Sequence, residues 1–184
     1  MDSCYTKDSL RGFGTFGSVH VHKIKPEFEN TEFRKRVMVK SINEINSSSA
    51  DREINNLKRL DNQPYVVQLL GFERYPFQVY MECLNTDLGT FMKRRQFSLT
   101  QTDIFKIHED ILCGLKCLEG QGILHRDIKP ANILVDYNGS DGSKVEDLRF
   151  KVGDLGGSRP VNMDKLKRGK FPDITKVRLG WARF

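Results

Sequence analysis

The stretch His125-Arg-Asp-Ile-Lys-Pro-Ala-Asn132 decides how this sequence is interpreted. It brings together a carboxylate that can serve as a base, Asp127, a cation, Lys129, and a carboxamide of the kind that binds metal ions, Asn132. A second acidic motif, Asp154-Leu-Gly156, follows one predicted hairpin later. Because two further motifs precede these residues in a fixed order, chance agreement is negligible, and the stretch marks a candidate catalytic loop.

A glycine-rich run, Gly12-Phe-Gly14-Thr-Phe-Gly17-Ser-Val19, lies near the N-terminus. A dinucleotide-binding fingerprint of this form would open a helix, but the residues on both sides alternate as strands do. No Gly-Lys-Ser/Thr follows to make a phosphate loop of that type. The run therefore predicts a strand, a glycine turn and a strand, which is either a plain hairpin or a turn whose N–H groups close over phosphates.

A lysine at the end of the next predicted strand is the second motif. Lys40 closes the segment Val37-Met-Val-Lys40, and taken alone it reads as a surface residue. Glu53 lies on an amphipathic helix predicted over 47–60. A carboxylate there changes the interpretation, because it would orient the ammonium group toward phosphate oxygens.

Hydrophobic periodicity divides the rest of the chain. Alternating residues predict antiparallel strands over 9–45, and apolar runs predict buried strands over 65–71 and 77–83. A second clear helix begins at Thr100, with Asp103 as its capping acid. The apolar face of this helix is predicted to consist of Ile104, Ile107, Ile111, Leu115 and Leu118.

The composition is that of a globular protein with one domain or two small lobes. The chain has 184 residues, of which 38% are hydrophobic, and a net charge of +6. Its basic residues are interleaved with acids, so nucleic acid is not an expected partner. It has no stretch of about 18 apolar residues and no signal sequence, so we expect no membrane contact and an intracellular, cytoplasmic or nuclear, location. Its cysteines are predicted to be reduced thiols: Cys4, Cys83, Cys113 and Cys117.

Together these motifs resemble the eukaryotic protein kinases, from about Leu10 to about Arg178. Lys129, two residues after Asp127, makes the motif similar to that of the serine/threonine branch of the family. The resemblance implies an α+β, two-lobed protein kinase-like fold. Its N-terminal lobe, residues 1–84, would be an antiparallel sheet with one helix, and residues 85–184 would form an incomplete, mainly helical C-terminal lobe with the catalytic loop and the start of the activation segment.

The same resemblance implies the chemistry, which is phosphoryl transfer from ATP with Mg²⁺ to a protein substrate. Asp127 would act on the substrate hydroxyl, Lys129 would neutralise the transferred phosphate, and Asn132 and Asp154 would hold Mg²⁺. Glycines would cover the phosphates, Lys40 would contact them, and Glu53 would hold Lys40. The hinge backbone would bind adenine, Asp87 would bind ribose, and two apolar side chains would sandwich the base. The implied ATP-binding residues are Gly12, Gly14, Gly17, Val19, Lys40, Glu53, Glu82, Leu84, Asp87 and Leu134.

The chain departs from the family pattern at three positions near the nucleotide. Met38 stands where an alanine is usual and would narrow the adenine pocket, and Arg11 stands where an apolar residue usually covers the base. Leu155 replaces the phenylalanine of Asp-Phe-Gly, a milder change because leucine can also fill an apolar space.

The end of the chain is the largest departure, because no Ala-Pro-Glu follows Arg178. The expectation is a truncated kinase whose incomplete lobe is covered by another protein or a ligand, or is only marginally stable. The alternative to an active enzyme is a catalytically silent kinase-like regulator that binds ATP and a partner protein. Thr175, and after it Ser158, are the predicted phosphate acceptors of the activation segment.

Overall fold

The computed structural model describes residues 4–14, 17–29, 34–42, 47–95, 98–137 and 145–161. The chain divides into two compact units. An N-terminal unit contains Met1–Asp61 and Gln68–Cys83, and a C-terminal unit contains Asn62–Val67 and Leu84–Phe184. The short segment Asn62–Val67 thus packs with the second unit, although it precedes the last strands of the first.

The N-terminal unit is built on a five-stranded antiparallel sheet in the order β1-β2-β3-β5-β4. Its strands are rich in the β-branched and aromatic residues that favour extended backbone, and they alternate between the two faces of the sheet. The bounds of the strands are β1 (Tyr5–Gly14), β2 (Gly17–Ile24), β3 (Arg36–Ile42), β4 (Leu69–Arg74) and β5 (Phe77–Glu82).

One face of this sheet and one face of helix α1 (Ser47–Arg59) form buried surfaces of the N-terminal unit. Each apolar side chain buried there stabilises the fold by about 1.5–3 kcal/mol. The core cluster on the sheet consists of Tyr5, Ile24, Val37, Val39 and Tyr80. The buried residues of α1 recur at helical spacing, and one of them is charged: Ala50, Glu53, Ile54, Asn56 and Leu57.

In its described residues, the C-terminal unit contains two α-helices and two small sheets. One sheet has the order β6-β8-β9, and the other pairs β7 with β10. Its main core cluster includes Phe91, Ile107, Ile133 and Phe150. The bounds are β6 (Thr86–Asp87), α2 (Leu88–Arg94), α3 (Gln101–Gly120), β7 (Ile123–Leu124), β8 (Ile133–Asp136), β9 (Arg149–Val152) and β10 (Arg159–Pro160).

Helix α3 begins at the predicted cap, and its buried face overlaps the predicted one only in part. Thr100 and Asp103 exchange side-chain to backbone hydrogen bonds, which is the capping box that the sequence predicts. Ile104, however, is 43% exposed. The buried positions of the helix are Ile107, Asp110, Gly114 and Leu118.

Close packing at a glycine explains why the buried face of α3 differs from the predicted one. A Cβ at Gly114 would lie 2.7 Å from the carbonyl oxygen of Tyr65 and 2.7 Å from a methyl carbon of Val152. The helix therefore comes so close to these two residues that only glycine fits at that point.

The expected fold class is confirmed: an N-terminal antiparallel sheet with one helix precedes a unit whose largest element is the helix α3. The four cysteines, all of which lie among the described residues, form no disulfide, as predicted. Among the described residues, no helix is long and apolar enough to cross a membrane.

Candidate active site

A buried ion pair joins strand β3 to helix α1. The ammonium nitrogen of Lys40 lies 2.8 Å from Oε2 of Glu53, and the two side chains are only 10% and 2% exposed. Burying two charges is costly unless they are paired, so each side chain fixes the position of the other. The predicted association of these two residues is thus a contact within the N-terminal unit.

Apolar side chains surround Lys40 on the same face of the sheet. Val19 is its direct partner across β2 and β3, and Val79 is its partner on β5. Met38 follows at alternate spacing and pairs with Met81. The structure therefore places the predicted base-covering residue Val19, the unusual Met38 and the predicted phosphate-binding lysine on one face.

The glycine-rich run connects β1 and β2, and the strands beside it are antiparallel as predicted. Gly14 and Gly17 are partners at the end of the ladder. Gly17 has φ +143°, and a Cβ there would lie 1.9 Å from the carbonyl oxygen of Ser41. Gly12 has no atom within 4 Å of such a Cβ. Backbone geometry thus requires glycine at Gly17 but not at Gly12.

The predicted hinge follows β5. The backbone N–H of Glu82 donates to the carbonyl oxygen of Gln68, and the Glu82 carboxylate accepts from the N–H of Gln68. These bonds engage the backbone N–H and the carboxylate of Glu82 within the N-terminal unit. Leu84 is buried and belongs to the C-terminal unit.

The candidate catalytic loop of the C-terminal unit holds its three predicted site residues together. Oδ2 of Asp127 accepts a hydrogen bond from the Lys129 ammonium at 2.7 Å and one from the Asn132 amide nitrogen at 3.0 Å. The same nitrogen of Asn132 donates to the carbonyl oxygen of Asp127 at 2.8 Å. The structure therefore joins these predicted site residues directly, and both side-chain bonds use one carboxylate oxygen.

His125 links this loop to the segment before Asp154, a role that the sequence analysis did not assign. Its Nε2 donates to the carbonyl oxygen of Gly153 at 2.8 Å, and its Nδ1 accepts from the N–H of Asp127 at 3.3 Å. Burial lowers the pKa of the His125 imidazole, more than the Gly153 carbonyl and nearby carboxylates raise it. The neutral Nε2–H form satisfies both bonds.

Asp154 follows β9, and the residue before it, Gly153, is hydrogen-bonded to the backbone of the candidate catalytic loop. The N–H of Gly153 donates to the carbonyl oxygen of Asn132 at 2.9 Å. Asp154 itself is exposed and has φ 56° and ψ 71°, a left-handed conformation that is uncommon outside glycine. Such conformations are retained chiefly at functional sites. Leu155 is completely buried, in agreement with the space-filling role expected of it.

Ser158 is not available as a phosphate acceptor, which corrects the prediction made for it. The residue is completely buried, and its hydroxyl donates to the carbonyl oxygen of Leu155 at 2.5 Å. Short polar side chains often bond to nearby backbone in this way, and the sequence alone does not reveal it. Thr175 lies outside the described residues.

Asp87 and Leu134, two more of the predicted nucleotide-binding residues, are direct partners on β6 and β8. Both oxygens of Asp87 already accept hydrogen bonds from Thr90, at 2.9 Å from its N–H and 2.7 Å from its hydroxyl. Asp87 is therefore the N-cap of α2. Any contact with a ribose would be an additional bond to an already ordered carboxylate.

The residues predicted to hold Mg²⁺ fit that ion. Asn132 uses its amide nitrogen for both hydrogen bonds to Asp127, so its oxygen points away from them. The Asp154 carboxylate is exposed. Mg²⁺ takes one or two protein oxygens and completes its shell with water and phosphate oxygens, so a sparse pair of ligands suffices. In the described part of the chain, no three His, Cys, Asp or Glu side chains form a denser metal cluster.

The sequence matches the protein kinase domain over residues 5–173. Since the match covers most of the 184 residues, the chain belongs to the protein kinase family. The family resemblance seen in the motifs is thereby confirmed. Members of this family generally use ATP and Mg²⁺.

Curated relatives include kinases named for serine/threonine specificity. The chain is 31% identical over 156 residues to the serine/threonine-protein kinase/endoribonuclease IRE1 of Oryza sativa subsp. japonica, a match that covers 74% of this chain and 17% of that protein. It is 33% identical over 168 residues to mitogen-activated protein kinase kinase kinase 3 of Arabidopsis thaliana, covering 86% and 25%. It is 29% identical over 159 residues to cyclin-dependent kinase D-1 of the same plant, covering 84% and 37%. The chain thus spans well under half the length of each of these relatives.

Proposed function

We propose that the chain is an ATP-dependent serine/threonine protein kinase that transfers a phosphoryl group from MgATP to a hydroxyl group of a protein substrate. The observation that supports this most is the hydrogen-bonded group of Asp127, Lys129 and Asn132. Phosphoryl transfer requires positioned charges more than covalent chemistry, and this loop supplies an ordered base, a cation and an oxygen ligand. An intracellular location, cytoplasmic or nuclear, is part of the proposal.

Asp127 acts on the substrate hydroxyl. Its Oδ2 is engaged by Lys129 and Asn132, so Oδ1 is the oxygen that accepts the hydroxyl proton. The hydroxyl oxygen forms the new bond to the γ-phosphorus, and the bond between that phosphorus and the oxygen of ADP breaks. Lys129 reduces the negative charge at the phosphate, and its hydrogen bond to Asp127 keeps the ammonium group at that position.

The remaining residues bind the nucleotide and its metal ion. Lys40, oriented by Glu53, contacts the phosphates, and the glycine turn covers them. Asn132 and Asp154 hold Mg²⁺, which neutralises phosphate charge. The Glu82 carbonyl and the Leu84 N–H bind adenine. Further contacts with base, ribose and phosphates come from Gly12, Gly14, Gly17, Val19, Asp87 and Leu134.

Two measurements test the proposal. MgATP at millimolar concentration should raise the thermal unfolding temperature of the chain, because a ligand that binds only the folded state stabilises it by mass action. Lys40→Met should abolish this stabilisation, whereas Glu53→Gln should weaken it less. A folded protein whose unfolding temperature does not move with MgATP would contradict the nucleotide site.

The second measurement is transfer of radiolabelled phosphate from ATP to a generic protein substrate, with Asp127→Asn as the matched control. Transfer that depends on Asp127 supports the kinase. MgATP binding without Asp127-dependent transfer would favour the alternative, a silent kinase-like regulator that acts through a partner protein.

A further inference from the structure

Asp110 is a buried carboxylate that none of the motifs explains. It lies on the buried face of α3, and its side chain is 1% exposed. A carboxylate is rarely buried this deeply unless it is paired and hydrogen-bonded, because burial removes its hydration. The packing of apolar surface therefore does not explain why an aspartate occupies this buried position.

Each oxygen of Asp110 has a specific partner. Oδ1 accepts from the Lys106 ammonium, one helical turn earlier, at 2.6 Å. Oδ2 accepts from the backbone N–H of Phe150 at 3.0 Å. The first partner neutralises the charge, and the second ties the carboxylate to strand β9.

Strand β9 needs this bond because it lies at the end of its sheet. It pairs with β8 along one edge, and the N–H groups of Phe150 and Val152 point to the other edge. The N–H of Val152 is bound by the carbonyl oxygen of Tyr65 at 2.9 Å. Phe150 is completely buried, so Asp110 replaces the water or strand that would otherwise bind its N–H.

The same strand leads directly to the proposed metal ligand Asp154. Its outer edge is bound at Phe150 by Asp110 and at Val152 by Tyr65, and the N–H of Gly153 is then bound by the carbonyl oxygen of Asn132. Of these three acceptors, Asp110 supplies the one that is a carboxylate, and the other two are backbone carbonyl oxygens. A hydrogen bond to a carboxylate is roughly twice as strong as one between neutral groups.

We propose that Asp110 is a positioning residue for Asp154. It fixes the start of β9, and through the strand it fixes the backbone that presents the Asp154 carboxylate to Mg²⁺. The inference rests on the proposed function for the role of Asp154 but not for the anchoring of β9. Lys106 pairs with the carboxylate and helps to hold it in this orientation.

Hydrogen exchange of the free protein tests the anchoring without any ligand. Asp110→Ala should make the amides of 149–157 exchange about tenfold faster than in the wild type, while other parts of the C-terminal unit change less. Asp110→Asn keeps an acceptor oxygen but loses the charge, so it should give a smaller increase in the same segment. If Asp110→Ala does not fold, Asp110→Asn decides the question alone.

Leu118→Ala is the matched control, because Leu118 is buried on the same helix but lies outside the core cluster that contains Phe150. It should destabilise the protein without selective loss of protection in 149–157. A uniform change across the C-terminal unit in the Asp110 variants, or unchanged exchange in 149–157, would overturn the proposal.

Calorimetric titration with ATP, with and without Mg²⁺, tests the consequence at the site. Asp110→Ala should reduce the gain in affinity that Mg²⁺ provides by about tenfold, and Asp154→Asn should also reduce it, since residues that orient metal ligands commonly have effects of this size. Leu118→Ala should leave the gain unchanged. If Mg²⁺ increases the ATP affinity of Asp110→Ala as much as that of the wild type, the positioning role is overturned. If the wild type binds no MgATP, the proposed function is refuted. The hydrogen-exchange result would then decide by itself whether Asp110 anchors β9.

Discussion

Replacing Lys40 by methionine should destabilise the protein by about 3–5 kcal/mol, because the substitution leaves the Glu53 carboxylate buried without its cation. The structure sets this magnitude. The two charged groups are 2.8 Å apart and their side chains are 10% and 2% exposed, so water can replace little of the lost interaction. Glu53→Gln should cost less, about 1–3 kcal/mol, because the amide oxygen can still accept a hydrogen bond from Lys40.

Lys23→Met is the matched control. Lys23 lies on the neighbouring strand β2 and also forms an ion pair of 2.8 Å, with Asp8, but those side chains are 57% and 30% exposed. An exposed pair of this kind contributes about 0–1 kcal/mol. The two lysine substitutions thus differ mainly in burial.

Urea denaturation followed by circular dichroism measures these differences. The double variant Lys40→Met/Glu53→Leu should regain much of the stability lost in Lys40→Met, because it removes the stranded charge. If Lys40→Met costs no more than Lys23→Met, or if the double variant is no more stable than Lys40→Met, the argument from an uncompensated buried charge is wrong.

Three further predictions concern single positions. In the same denaturation assay, Gly17→Ala should lower the free energy of unfolding by more than about 2 kcal/mol, and Gly12→Ala by less than about 0.5 kcal/mol. Of these two glycines, only Gly17 has a left-handed φ and a backbone oxygen where a Cβ would lie. Equal losses of stability would contradict this. Met38→Ala should strengthen MgATP binding, by up to about tenfold in a calorimetric titration, because the shorter side chain leaves more room for the base on the sheet face next to Lys40. Unchanged or weaker binding would refute the argument that Met38 crowds the base. The wild type should lose stability as the pH falls from about 7 to about 5, because the unfolded chain takes up a proton at His125 before the folded chain does. His125→Phe should lose less over that range, and parallel pH profiles would show that another group is responsible.

Local patterns predicted most elements of this fold, although the buried strand expected over 65–71 is the half-buried strand Leu69–Arg74. The helix expected over 47–60 is Ser47–Arg59, and the capping box of Thr100 and Asp103 forms as its spacing indicates. These features depend on residues three or four positions apart, so the sequence contains all the necessary information. Strand alternation likewise predicted a strand through Lys40 with buried apolar neighbours, but the strand does not end at Lys40 as expected and continues to Ile42.

The buried face of α3 was predicted only in part, at Ile107 and Leu118. Periodicity counts apolar side chains, and it therefore favoured a face that includes Ile104. The actual buried stripe contains a glycine, Gly114, that allows close contact with Tyr65, and a paired carboxylate, Asp110. Both depend on partners far away in the sequence, so no local pattern reveals them.

The candidate site shows the same division between local and distant information. The motif spacing predicted that Asp127, Lys129 and Asn132 share one loop, and the structure joins them by hydrogen bonds. The bond from His125 to the carbonyl oxygen of Gly153 spans 28 positions and had no signal in the sequence. Ser158 was misjudged because burial, unlike hydroxyl chemistry, is not visible in a short segment.

Both units bury a carboxylate on the inner face of a helix and pair it with a lysine. Glu53 on α1 binds Lys40 on β3, and Asp110 on α3 binds Lys106 and strand β9. Well-packed apolar residues of similar volume usually give equal or greater stability than a buried ion pair, so stability alone does not account for either carboxylate. Each pair instead fixes a strand beside a proposed phosphate or metal ligand, Lys40 itself in one unit and Asp154 in the other. A charged residue on the buried stripe of a helix is therefore a sign of positional function that a hydrophobicity pattern, which counts it as surface, overlooks.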